Sequence, residues 1–78
     1  MYVTILSPEK TIFEGEAKLV NVPGQKGRFE VLDHHAPIIS GLDEGRVVCA
    51  GDETLELDIK SGFIEVADNR VTLCVEPS

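Results

Sequence analysis

The residues best suited to chemistry are few, and most stand alone. His34-His35 is the pair that invites a metal, with Asp33 and Asp43 as the nearest carboxylates in sequence. Read as part of a strand, two adjacent imidazoles point to opposite faces and do not share one ion. The other reading of His35, in His35-Ala36-Pro37, is a loop histidine bonded to backbone, because proline pushes Ala36 towards extended geometry. Paired carboxylates occur at Asp43-Glu44 and Asp52-Glu53, but both pairs fall among turn residues, where solvated charge is the reading and not acid–base catalysis. Serines occur only at positions 7, 40, 61 and 78, none with a histidine close in sequence to serve as base. No phosphate-cradling loop and no nucleophile elbow is present. No catalytic residue, cofactor site or metal site is expected. A binding or structural module is the class that survives.

Charge narrows the partners. The formal net charge is −7, which argues against a broad basic face for nucleic acid or anionic lipid. One segment departs from this, Gly24-Gln25-Lys26-Gly27-Arg28, with two cations and no acid. Cys49 and Cys74 each lie among apolar residues and form no C-x-x-C pair, so both read as reduced thiols acting as small core residues, consistent with a cytosolic compartment. No stretch has the ~20 apolar residues of a membrane-spanning helix, and Met1-Tyr2-Val3-Thr4 lacks the order of a signal peptide. The expectation is a soluble chain that meets a membrane only through a partner.

The elements that must position these residues announce themselves by period two. Leu55, Leu57 and Ile59 alternate with Thr54, Glu56, Asp58 and Lys60, the pattern of a half-buried strand. Val71, Leu73 and Val75 alternate with Thr72, Cys74 and Glu76, and Val3 with Ile5 does so near the start. Asp68-Asn69 predicts a tight hairpin, since both side chains tolerate positive φ. Gly51-Asp52 predicts another, and Pro23-Gly24 suits a type II turn. Ala17 and Leu19 share one parity while Val20 and Val22 take the other, which predicts a bulge or burial on both faces. No stretch carries a helical apolar stripe. The fold class expected is all-β: residues 1–78 as one flattened sandwich or barrel of about eight to ten short, mostly antiparallel strands, with no C-terminal helical hairpin. A domain this small buries only about 60% of its unfolded surface, so a partner subunit is a natural source of stability.

Four segments, in order, resemble one family. Ser7-Pro8-Glu9-Lys10-Thr11-Ile12-Phe13-Glu14-Gly15-Glu16 is similar to the first hairpin of the epsilon subunits of F-type ATP synthases. Val22-Pro23-Gly24-Gln25-Lys26-Gly27 resembles that family's P-G-x-x-G loop, and Val31-Leu32-Asp33-His34-His35-Ala36-Pro37 its apolar pair followed by H-A-P. Ser61-Gly62-Phe63-Ile64-Glu65-Val66, with Asn69 and Val71-Thr72-Leu73 behind it, resembles its closing S-G-G-F-x-E-V hairpin. The departures are Glu30 where glycine is common, Asp33-His34 where Pro-Gly is common, and one glycine after Ser61 where the family has two. Family members usually continue into a helical hairpin rich in alanine, glutamate and lysine, linked to inhibition of ATP hydrolysis and in some to nucleotide binding. If the 78 residues are the full product, this chain is expected to lack both.

The resemblance implies a non-catalytic central-stalk subunit at the cytoplasmic face of the bacterial inner membrane. It would couple proton-driven rotation of the c ring to the gamma subunit and so to ATP synthesis. Residue by residue, Gly24, Gln25, Lys26, Gly27, Arg28 and Phe29 fall where the family meets the c ring. His35, Ala36, Pro37, Ile38 and Ile39 fall where it approaches gamma, with Phe29, Ile38 and Ile39 as candidate apolar anchors. An isolated chain, its partners missing, is expected to be able to self-associate through the exposed surface. Two other classes compete: a lipoyl- or biotinyl-type carrier domain, with Lys60 as the lysine to be modified at a hairpin tip, and a generic small β module that binds some other protein.

Overall fold

The computed structural model describes residues 1–78 and contains eight strands and no helix. They are β1 (Tyr2–Leu6), β2 (Thr11–Glu16), β3 (Leu19–Gly24), β4 (Gly27–Leu32), β5 (Ile38–Leu42), β6 (Gly45–Ala50), β7 (Thr54–Ala67) and β8 (Arg70–Pro77). Every neighbouring pair is antiparallel except β1 with β8. The flattened all-β architecture is therefore the one the alternation predicts, with extents of 28 × 25 × 18 Å.

The closure depends on β7. Its first half, Thr54–Ile59, pairs with β6, and its second half, Gly62–Val66, pairs with β5 on one edge and β8 on the other. Since β3 also pairs with β6 and touches β5 at Gly24 and Leu42, the sheet closes on itself through β7, β5, β3 and β6. The change of partner coincides with a register shift between Ile59 and Ser61. A bulge bends a strand and adds twist, which is what a strand shared by two layers needs. Gly62 stands beside it because a Cβ there would lie 2.5 Å from the Cys74 carbonyl oxygen.

Inward parity fills the interior. Val3 and Ile5, Val20 and Val22, Val47 and Cys49, Ile64 and Val66, and Val71, Leu73 and Val75 join one apolar cluster with Val31, Leu42 and Ile59, closed by Met1 and Ala17. Burying such an aliphatic side chain stabilises by about 1.5–3 kcal/mol, so this cluster is the main driving force for the fold. No polar side-chain atom is buried without a partner, so little opposes it.

Four local expectations change. Pro23 and Gly24 are buried strand residues and not a turn; the tip of the hairpin is Gln25-Lys26, and Gly27 takes the positive φ of 124°. The phase break near Val20 is neither a bulge nor two-sided burial of one strand: Ala17-Lys18 is the connection between β2 and β3, so parity restarts. Cys74 is not a core residue. It lies half-buried on the outer face of β8 opposite Phe63, while Cys49 is buried. Lys60 sits in the middle of the fourteen-residue β7 and at no hairpin tip, so a carrier enzyme would have no loop to grip.

Candidate interaction surface

The glycine-punctuated hairpin is built by β3 and β4, which stay in register from Leu19 opposite Leu32 to Gly24 opposite Gly27. That pairing projects Gln25 and Lys26 beyond the sheet. Lys26 and Arg28 are exposed, and neither takes part in an ion pair; those of the molecule lie on the Met1 ammonium and on Arg46. Arg28 is not free, however. Its guanidinium donates to the Arg46 backbone carbonyl across the layer, so Lys26 is the cation left to reach outward.

β5 lies alongside. The Gln25 N–H donates to the Gly41 carbonyl at 3.2 Å, and the Asp43 N–H to the Pro23 carbonyl at 2.8 Å. Between hairpin and strand runs an open groove lined by Gly24 to Phe29 and Ile38 to Gly41. The hairpin residues assigned to one interface and Ile38 and Ile39 assigned to another are thus brought together on one surface. His35, Ala36 and Pro37 stand outside that groove. Among the candidate anchors, Phe29 and Ile38 are half-buried against the core, whereas Ile39 is 74% exposed and free to enter a partner.

His34 and His35 occupy a turn and not a strand, so the argument from opposite faces does not apply to them. His34 takes a positive φ of 62°, and its N–H donates to Asn69 Oδ1 at 2.8 Å. The His35 N–H donates to the Leu32 carbonyl at 3.1 Å, and its Nδ1 lies 2.7 Å from the Ala36 carbonyl oxygen. This is the loop histidine bonded to backbone. No three residues among His, Cys, Asp and Glu converge as metal ligands would.

Charge elsewhere is mutual. Arg46 on β6 holds Asp58 at 2.9 Å and Glu56 at 3.2 Å on β7. The hydrogen bond from Arg46, and then its charge, hold the Asp58 carboxyl below the usual carboxylate range. The Met1 ammonium, bonded to Asp33, is raised for the converse reason. A further surface escaped the sequence reading: Phe63, 49% exposed, faces out beside Cys74 and Leu6, which share its register across β7, β8 and β1. Parity held the signal, since Phe63 alternates with the buried Ile64 and Val66.

Residues 1–77 match the family described as ATP synthase, Delta/Epsilon chain, beta-sandwich domain. The chain is 44% identical over 73 residues to an ATP synthase epsilon chain of Magnetococcus marinus, covering 92% of this chain and 53% of that one. It is 36% identical over 75 residues to that of Leptospira borgpetersenii, covering 95% and 59%. With that of Caulobacter vibrioides the identity is 38% over 77 residues, covering 97% and 90%. The chain therefore spans little more than half of the first two relatives and most of the third. Among solved structures, the Tetrahymena thermophila mitochondrial ATP synthase central stalk and c ring contains a chain that superposes with a TM-score of 0.86 at 14% identity, covering 97% of this chain and 63% of that one.

Proposed function

This chain belongs to the family of ATP synthase delta/epsilon β-sandwich domains, and we propose that it is a non-catalytic central-stalk subunit of a rotary F-type ATP synthase. In this role it links the gamma subunit to the c ring, so that proton-driven rotation of the ring and of the stalk is one motion. The family match over nearly the whole chain carries the reading. The groove supports it, because it joins a cationic hairpin to a strand that exposes Ile39 within one sheet. Gly24, Gln25, Lys26, Gly27, Arg28 and Phe29 are assigned to the ring; His35, Ala36, Pro37, Ile38 and Ile39 to gamma. Its relatives are bacterial chains, and the place proposed is the cytoplasmic face of the inner membrane, reached through those partners. Rotary coupling asks for rigidity and two interfaces, not for a reactive group.

The test is a pull-down with the cognate gamma subunit, followed by assembly with the c ring, using Lys26→Glu, Arg28→Glu and His35→Ala. Binding of gamma that weakens at His35, with ring attachment that weakens about tenfold at Lys26 or Arg28, is the expected result. A folded chain that binds no gamma would overturn the stalk reading. Unchanged proton pumping in reconstituted membranes with both cations reversed would overturn the assignment of the hairpin to the ring.

A further inference from the structure

Gly41 is an exception on β5. It has no positive φ, so its backbone does not call for glycine. What calls for it is room. The amide end of Gln25 lies on its Cα, and a Cβ at position 41 would sit 2.6 Å from Gln25 Cδ and Oε1 and 2.8 Å from Nε2. Gln25 is itself an exposed residue at a hairpin tip, where a long polar side chain is ordinarily free in water. Here the chain is clasped to β5 twice, by its side-chain amide on Gly41 and by its N–H on the Gly41 carbonyl at 3.2 Å.

We propose that the Gln25–Gly41 contact is a latch that positions the ring-binding hairpin: it holds the tip on β5 and so sets Lys26 relative to Ile39. The inference rests on the central-stalk reading and adds a positioning residue to it. Strand pairing holds the hairpin at its base, since β3 meets β5 only at Gly24 and Leu42. Beyond that pair the tip is held by Gln25 and not by apolar burial. A tip fixed in advance does not have to be ordered when a partner binds, and preorganisation of that kind raises affinity without any new contact. The latch also ties the segment assigned to the ring to the strand assigned to gamma. A mechanical coupler needs the two to move as one body.

Gly41→Ala is the direct test. An extended strand accepts alanine, and the atoms that must move are the far end of a flexible side chain, so the fold survives while the amide is displaced. Gln25→Ala removes the amide and leaves Gly41 intact. Each full-length variant is titrated against the detergent-solubilised cognate c ring and, separately, against the cognate gamma subunit. Exchange of the Gln25 amide hydrogen is followed in the free chain. Both variants should lose ring affinity by about three- to tenfold while gamma affinity stays within about twofold. The double variant should be no worse than either single one, because both break the same contact. Exchange of the backbone N–H at position 25 should speed up by about tenfold, as expected when a hydrogen bond worth about a factor of ten is loosened. Unchanged ring affinity in Gly41→Ala would overturn the latch, whatever Gln25→Ala does, because Gln25 is itself assigned to the ring. So would a parallel fall in ring affinity, gamma affinity and melting temperature, which would mark ordinary packing. An unsubstituted chain that binds neither gamma nor the ring would instead remove the central-stalk reading, and the latch with it.

Discussion

Asn69 offers the sharpest test of how this small sheet positions its loops. It is the second residue of the two-residue turn joining β7 to β8, at φ 58°, with Asp68 at φ 52°. Its Oδ1 also accepts the His34 N–H at 2.8 Å, which ties the turn to the His34-His35 segment. Three substitutions separate these roles. Asn69→Asp keeps an acceptor and tolerates the left-handed backbone, so stability should stay within about 0.5 kcal/mol of the original. Asn69→Gly keeps the backbone but loses the bond to His34, at a cost of about 1 kcal/mol. Asn69→Ala loses the bond and also forces a Cβ residue into positive φ, which adds about 1 kcal/mol. The sum of about 2 kcal/mol corresponds to a fall in melting temperature of about 8–16 °C for a domain of this size. Urea unfolding gives the free energies, and hydrogen exchange at the His34 amide reports the bond directly. If Gly matched the original, the link to His34 would contribute nothing. If Ala matched Gly, the argument from positive φ would be wrong.

Three further outcomes are expected. Leu73→Ala, which empties a fully buried site, should cost about 2–5 kcal/mol, whereas Ile39→Ala at an exposed site should change the free chain by less than about 0.5 kcal/mol; thermal unfolding of both checks the contrast. Thiol labelling under native conditions should modify the half-buried Cys74 readily and the buried Cys49 more slowly by a factor on the order of a thousand, because desolvation raises the Cys49 thiol and its access waits on global opening; equal rates would mean that β6 opens locally. Asp58 has a carboxyl lowered by Arg46, so its contribution is present above the ordinary carboxylate value and is lost as pH falls through the lower folded value. Stability measured across the acid range should therefore fall more steeply in the original chain than in Asp58→Asn, by a small amount because the pair is exposed, and identical slopes would refute the pairing.

Much of the fold was legible because it is a matter of parity. Alternation at Leu55-Leu57-Ile59 and Val71-Leu73-Val75 reflects a sheet with one dry face, and Asp68-Asn69 marks a turn because only a few side chains accept its backbone. The same parity already set Cys74 with Thr72 and Glu76, on the outer face where it lies, against the reading taken from its apolar neighbours. Pro23-Gly24 misled because a proline-glycine pair favours a turn locally, while here both are buried by pairing with Arg28 and Gly27.

What the sequence determined by itself was the all-β class, the apolar face of the strands that alternate cleanly, and the charge. These depend on residue type and on neighbours along the chain. Only the tertiary structure decided that β7 serves two layers, that Arg28 is tied to β6 while Lys26 is free, and that Gln25 lies on Gly41. Those contacts join residues 16 or more positions apart. Their geometry is set by how a closed sheet twists and where it bends, and no local preference of the chain encodes that.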